Sequence, residues 1–581
     1  MTSKRNYLLV AAIDFGTTFS GYAFSSKHDF EKDPTKASLR RWVDPISSMM
    51  YCKTSTCILF TEDQKFDKFG FEAEAKYLDL ISDNNQNNWY FFTKFKMLLY
   101  EIQSEDQQLL IKDDNGKAMS ALVVFSESLR YLKQSLLDEI KNQFINIELN
   151  EIKWVITVPA IWSDPAKAFM RRAAMKAGID SEMLTIALEP EAAALYIKHI
   201  PIEKRVDESK EGVLQVFCPG TKYIIVDAGG GTIDITAHEV LEDGHVRELI
   251  KATGGNWGGT RVDEEYMDFI KSIIGEEATK HIEESKPDVF FEACREFEMA
   301  KRRIKPMSDN KFTVKIPLCI GEEYTNYNEG KSLNLLETCL SRTGIQIGIS
   351  FIRDKLRLAS TDAEYFFKQS ITEISNHLKK LFQNKDGKGI STIILVGGYA
   401  ESPTLIEGIK SNFPEMRTVI PQEASSSILL GALIFGHNPS LIRQRRSKYT
   451  YGICVNKKFN PSEHDEKHRY EENGEYRCGG YFSKLVEVDE SFDVEESQFE
   501  KRYRIKKCKD EGNLKLYAST SKWPKYVDEE DCFYIGHILS PGHEFVPEEY
   551  IYINVFFGDT QIFFLANQPK SKKTALCYLG Q

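Results

Sequence analysis

The pattern of apolar and polar positions has its sharpest feature between Tyr223 and Thr236. An apolar run, Tyr-Ile-Ile-Val, ends on Asp227, passes through Ala228 and three consecutive glycines, and resumes as Thr-Ile-Asp-Ile-Thr. Apolar runs of this length on either side of a glycine turn predict strand, tight turn, strand. The plan occurs again near the N-terminus. Leu8 to Ile13 is apolar, Asp14, Phe15, Gly16, Thr17 and Thr18 form the turn, and Phe19 to Phe24 return with alternating character. Two copies of one strand, Asp, Gly, Thr, strand unit, roughly two hundred residues apart, predict two related lobes with a cleft between them.

Elsewhere the periodicity is punctuated in the same way. Thr56 to Phe60 reads as a strand, and Leu129, Leu132 and Leu136 share a helical face between Ser126 and Leu137. Ile152 to Val158 is a strand stopped by Pro159, after which Asp164, Pro165 and Gly178 supply the cap, first-turn proline and terminator of a helix. Ile186 to Leu188 runs into a helix opened by Pro190, with Glu189 at its mouth. The turn from Gly254 to Gly259 precedes a helix carrying Tyr266, Phe269 and Ile270. Phe290, Cys294, Phe297 and Ile304 fall on one helical face, which leaves Glu298, Lys301 and Arg302 as a surface ion-pair group on spacing alone. Thr392 to Val396 is a strand that meets Gly397 and Gly398, with Ser402 and Pro403 opening the next helix. Past residue 449, Phe482 to Val488, Tyr503 to Lys507, Leu514 to Ala518, Phe533 to Leu539 and Ile551 to Phe557 read as strands of an antiparallel sheet. No long amphipathic helix follows them, so no helical lid is expected.

Composition narrows the classes. A chain of 581 residues exceeds one core and is expected to hold several units of roughly 100–200 residues. Its formal charge of −11 argues against a protein that works by neutralising a nucleic-acid backbone. The one basic cluster, from Arg443 to Lys448, reads as a solvated connector. Eleven cysteines, odd in number and nowhere in a CxxC pair, are no disulfide framework and favour a reducing, cytoplasmic setting. The longest late apolar stretch, Ile428 to Gly436, is too short to span a bilayer, so no membrane insertion is expected. His464 and His468 have the spacing of a helical metal pair, but their polar surroundings fit a solvated loop better.

The two turns carry the candidate chemistry. Gly229, Gly230 and Gly231 let backbone N–H groups converge on an anion without Cβ atoms in the way, and Thr232 adds a hydroxyl. Asp227 and Asp234 flank that cradle, and carboxylates beside a polyphosphate make sense when a divalent cation or its water shell lies between them. The bland alternative, a glycine hairpin with one carboxylate in an Asx-turn, weakens because the unit occurs twice. Gly397-Gly398, between a strand and a helix, is a third place where backbone can approach a ribose or phosphate.

Taken in order, Ile13 to Gly21, Leu188 to Tyr196, Ile225 to Ile235, Leu395 to Pro403 and Ser427 to Phe435 resemble the phosphate, connecting and adenosine segments of the 70-kDa heat-shock proteins. These are a branch of the actin/hexokinase-like ATPases, and the likeness covers residues 7–438. The resemblance implies an α/β chain with a two-lobed actin/hexokinase-like (ribonuclease H-like) ATPase domain over 1–438. Lobe I would comprise about 1–220 plus 400–438 and lobe II about 221–399, followed by a basic connector at 439–448 and a smaller β-rich C-terminal domain at 449–581. The implied ligands are ATP/ADP and Mg2+, with K+ as a further candidate. Asp14, Asp227 and Asp234 would hold the metal mostly through water, and Gly16, Thr17, Thr18, Thr232 and the backbone of 229–231 would hold phosphates. Glu189 would order the metal's water shell, and Lys96, with Lys94 as the alternative, would orient the attacking water. The implied catalytic set is therefore Asp14, Lys96, Glu189, Asp227 and Thr232. Gly259, Glu298, Lys301 and Arg302 would line the adenosine pocket with Gly397, Gly398 and Tyr399. The implied function is that of an ATP-binding, slowly hydrolysing, chaperone-like protein with protein or peptide clients and co-chaperones. A non-hydrolysing ATP-dependent adaptor and a small-molecule kinase of the same superfold are the alternatives.

Departures from the family pattern are also legible. Glu401 stands where members carry an arginine that stacks on adenine, and Lys305 stands where they carry a serine. Loss of one cation–π contact costs about 0.5–2 kcal/mol, so binding would weaken rather than vanish. The connector lacks the acidic, leucine-rich character of the family's linker, which with the lid-less ending marks an atypical branch and leaves allosteric control of peptide release unsupported.

Overall fold

In the computed structural model, residues 7–578 are described apart from 103–108, 144–145, 200–204, 207–217, 307, 328–349, 353, 495–498, 505–513, 539–549, 558–561 and 572. Two sheets of one plan form its centre. In the first, strand Leu9–Phe15 pairs antiparallel with Phe19–Ser26 and parallel with Ile152–Val158, which pairs parallel with Leu184–Leu188. In the second, Lys222–Ala228 pairs antiparallel with Ile233–Val240 and parallel with Thr392–Val396, which pairs parallel with Arg417–Pro421. The central strands are buried on both faces, which is why they read as unbroken apolar runs. Asp14 and Asp227 sit at matching places near the carboxyl ends of those strands, Asp14 opposite Gly21 and Thr157, Asp227 opposite Asp234 and Val396.

Helices Glu189–His199 and Ala424–His437 join the two halves. The second is apolar on every side because it is wedged between the sheets. Leu429 and Leu433 pack with Val10 and Val155 of the first, and Ile428 packs with Ile225 and Ile394 of the second. The helices cross closely: a Cβ on Gly431 would lie 1.7 Å from the Ala192 carbonyl oxygen, so only glycine fits there.

Residues 403–421, expected in lobe I, lie instead with the second sheet. Helix Pro403–Asn412 buries Leu405 and Ile409 in that lobe's core, and Arg417–Pro421 is one of its strands. The basic stretch is not a solvated connector either. Ile442–Arg446 is a strand of the second sheet, parallel to Val246–Gly255 and antiparallel to Ser491–Asp493. Its charges are met from distant segments, Arg443 by Asp243 at 2.6 Å, Arg445 by the buried Glu191, and Arg446 by Asp386 at 2.9 Å. A local charge count cannot register such partners.

Glu248 shows what this burial costs. It accepts the Arg446 N–H at 2.8 Å, and burial, then the charge of Glu191, push its carboxyl up from 4.5 to about 7. Between those values the folded protein keeps a proton that the unfolded chain has released. The stabilising contribution is therefore full below the ordinary value and is lost as pH rises through about 7. Glu248→Gln keeps an acceptor and removes the titration. It is expected to match the wild type near pH ~5 and to exceed it by up to about 3 kcal/mol near pH ~8. Denaturant melts at the two pH values check this, and a difference independent of pH would show that the carboxyl titrates normally.

The C-terminal region forms two antiparallel sheets rather than one. The first contains Thr450–Lys458, Glu475–Val486, Leu514–Ser519 and Cys532–Ile538, and the second Phe499–Arg504, Tyr550–Phe557, Ile562–Gln568 and Lys573–Tyr578. They share a core in which Ile453 and Leu516 cluster with Ile553 and Phe564. Of the predicted strands, residues 505–507 and 539 lie outside the described residues. Tyr451 donates to the buried Asp164 at 2.6 Å, docking the first of these sheets on helix Asp164–Lys176. His464 is buried rather than solvated and accepts the Asn460 N–H at 3.0 Å, while His468 stacks on Tyr526. Both histidines are packing residues of this loop.

Candidate nucleotide site

The two glycine–threonine turns meet face to face. A Cβ on Gly230 would lie 2.3 Å from Thr18 Oγ1, and one on Gly231 would lie 2.8 Å from Thr17 Oγ1, so glycine is required where the turns meet. The start of helix Gly259–Ile274 holds the second turn. The N–H groups of Gly258, Gly259 and Thr260 donate to the carbonyls of Gly231, Gly229 and Gly230 at 3.1, 3.1 and 2.7 Å. Three carbonyls that would repel a phosphate are thereby tied into the helix.

Asp14, Glu189, Asp227 and Asp234 are all buried below the turns. Asp14 accepts from Thr157 Oγ1 at 2.8 Å and from Lys53 Nζ at 2.6 Å. Asp234 accepts from the Ile161 N–H at 2.8 Å and from Thr232 Oγ1 at 3.1 Å. Glu189 accepts from Lys96 Nζ at 2.8 Å. Burial pushes the Glu189 carboxyl up to about 7 against the pull of Lys96, with Asp14 and Asp234 adding to the rise. Asp227 differs from the others: its Oδ1 is buried and has no hydrogen-bond partner among the described residues, and burial followed by the charges of Glu189, Asp234 and Asp14 drives its carboxyl well above the usual range. Gly397, at φ +90°, clears space beside it, since a Cβ there would lie 2.5 Å from Asp227 Oδ1. A buried carboxylate oxygen left open among anions is where a hydrated divalent cation is stabilised, so the residues present fit Mg2+.

Of the two candidate lysines, Lys96 reaches the cluster and lies 5.2 Å from the Trp162 ring centre. Lys94 is exposed and takes a left-handed backbone, φ 50°.

The crevice where adenosine is expected is bordered by Thr18, Gly230, Gly259, Thr260, Arg302, Gly398 and Tyr399. Glu298 and Lys301 also border it, and the surface ion-pair reading of them fails because Lys301 is buried. Its ammonium meets both oxygens of Asp263 at 2.7 and 2.8 Å and the Gly259 carbonyl at 2.9 Å. Burial opposes the charge on Glu298, but Lys301 and then Arg302 hold its carboxyl down to about 2. Lys301 therefore shapes the crevice with its donors already committed. Tyr399 donates to Ser370 Oγ at 3.2 Å. Glu401 accepts the Ser425 N–H at 3.1 Å at the start of helix Ala424–His437 and does not border the crevice. Sequence reasoning passed over Lys53, Thr157, Asp263 and the Ile161 N–H. Only Lys53 carried a signal, a lone lysine just before the strand that pairs with the first turn.

A family model described as Hsp70 protein matches residues 86–437, more than half of the chain. The chain belongs to the Hsp70 family. Among relatives, heat shock 70 kDa protein 12A of Homo sapiens is 32% identical over 84% of this chain and 78% of its own length. Heat shock 70 kDa protein 12B of Homo sapiens is 30% identical over 84% and 77%. The chaperone protein DnaK of Burkholderia cepacia is 25% identical over 56% of this chain and 44% of its own length. Membership agrees with the α/β two-lobed architecture and β-rich C-terminal part, and carries with it an Hsp70-type nucleotide-binding domain. The likeness to 12A and 12B covers a larger share of the chain than the residues the family model matches. Among the described residues no helix is long and apolar enough to cross a membrane.

Proposed function

We propose that the chain is a Mg2+-dependent ATPase of slow turnover whose nucleotide state is relayed to its C-terminal sheets, a chaperone-like activity toward protein or peptide clients in the cytoplasm. The observation that carries this reading is the pair of facing turns above four buried carboxylates, one with an open oxygen. Mg2+, when bound, supplies charge neutralisation for the phosphoryl group. Thr17, Thr18, Thr232 and the turn backbones bind and orient the phosphates. Lys96, held by Glu189, positions the attacking water, and Glu189 and Asp14 are the acceptors within reach of that lysine-lined space. The output runs through one residue. Ile161 donates its N–H to Asp234, and its carbonyl accepts from Lys448 Nζ at 2.7 Å, two residues before the first strand of the C-terminal sheets, Thr450–Lys458.

A second reading, ATP retained without turnover, is favoured by the lysine already seated on Asp14. A single-turnover ATP assay on the full chain, with and without unfolded peptides, separates the two. Release of phosphate supports the first reading, and bound ATP recovered intact supports the second. Thr232→Val is expected to weaken ATP about threefold to tenfold while affecting adenosine much less. Equal loss for both ligands in equilibrium dialysis would count against the phosphate assignment.

A further inference from the structure

Lys53 has no part in the hydrolytic reading of the site. It lies on the segment leading into strand Thr54–Ser55, which pairs with the return strand of the first turn. Its side chain, 16% exposed, reaches Asp14 at 2.6 Å. Among the described residues Asp14 is the one hydrogen-bond acceptor its ammonium meets, which leaves two N–H donors for a ligand, whereas Lys301 has its donors committed.

Its neighbours give that position a meaning. Asp14, Glu189, Asp227 and Asp234 gather four carboxyl groups, and among them stand two ammonium groups, Lys96 on Glu189 and Lys53 on Asp14. Without Lys53 only Lys96 would remain, and the place vacated beside Asp14 is one that a monovalent cation can fill.

We propose that the Lys53 ammonium is the resident monovalent cation of the nucleotide site. It neutralises Asp14 and donates its remaining N–H groups to the terminal phosphates, so that ATP binds with Mg2+ alone. This rests on the nucleotide reading of the site. It assigns Lys53 to phosphate binding and makes the protein indifferent to potassium.

The test measures the Kd of ATP with Mg2+ for the full chain by equilibrium dialysis, in potassium chloride and in choline chloride at equal ionic strength. The wild type is expected to differ less than about twofold between the salts. Lys53→Gln, which keeps a hydrogen-bond donor but no charge, is expected to lose about tenfold in choline, to recover at least about threefold in potassium, and to lose much less for adenosine. Lys53→Arg is expected to stay indifferent to the salt. Circular dichroism verifies that the variants fold. Wild-type binding that requires potassium, or Lys53→Gln binding as tightly as the wild type in choline, overturns the assignment of Lys53 alone. A wild type that binds no ATP in either salt overturns the nucleotide reading and this inference with it.

Discussion

Asp227→Asn is expected to stabilise the nucleotide-free protein and, in the same molecule, to cut Mg2+-dependent ATP turnover at least about tenfold. The two effects share one cause. Asp227 Oδ1 is buried without a partner among the described residues, and the side chain feels the charges of Glu189, Asp234 and Asp14. A buried polar group in that state costs about 1–3 kcal/mol, more when charged. Asparagine keeps the shape and removes the repulsion, so the denaturation midpoint without nucleotide should rise. The open oxygen is also the strongest reason to place a hydrated Mg2+ there, and an amide attracts a cation far less. Stability melts and turnover assays on the same preparation check both halves. Asp14→Asn should reduce turnover similarly, but without the stability gain, because both Asp14 oxygens already have donors. Should the chain retain ATP without turnover, the Mg2+ dependence of ATP affinity is the readout. Unchanged behaviour in both variants would remove these carboxylates from the chemistry.

Arg445→Met is expected to destabilise the protein by about 3–5 kcal/mol, the cost of leaving one member of a buried ion pair without its partner. Arg445 and Glu191 are 7% and 2% exposed. Arg445 belongs to the strand that leads to the C-terminal sheets, and Glu191 to the helix that bears Glu189. Replacing both, as Arg445→Met with Glu191→Leu, should recover most of the loss, since an apolar pair of similar volume can substitute for a buried ion pair. Denaturant melts of the two single variants and the double variant complete the cycle. A double variant as unstable as the sum of the singles would show that the pair does not act as a unit. A second readout follows from the geometry. If the strand is held to the Glu189 helix through this pair, the apolar double variant should fold yet change its response of ATP turnover to unfolded peptides.

The candidate site shows how far a linear reading carries. The turns at 14–18 and 227–232 were legible because glycine, aspartate and threonine at a strand end leave few structural uses, and because the unit recurs. The expectation for 403–421 failed for a definite reason. A helix and strand there are equally compatible with either sheet, and the choice is made by the parallel pairing of Arg417–Pro421 with Thr392–Val396, which no local pattern encodes. Lys301 looked like a surface residue because its partner Asp263 lies on another helix. Glu401, read as an intruder at the adenine, serves the start of a helix that is brought beside it only by folding.

What the sequence determined alone was the alternation of strands and turns, the duplicated aspartate and glycine clasp, and with them the class of ligand, since backbone freedom and side-chain type are local properties. Tertiary structure decided which charges are compensated. The pairing of Lys53 with Asp14, the solitary Asp227 oxygen and the burial of Arg445 against Glu191 all depend on segments far apart in the chain. Electrostatic energy is set by distance and burial in space, and neither can be read along the chain.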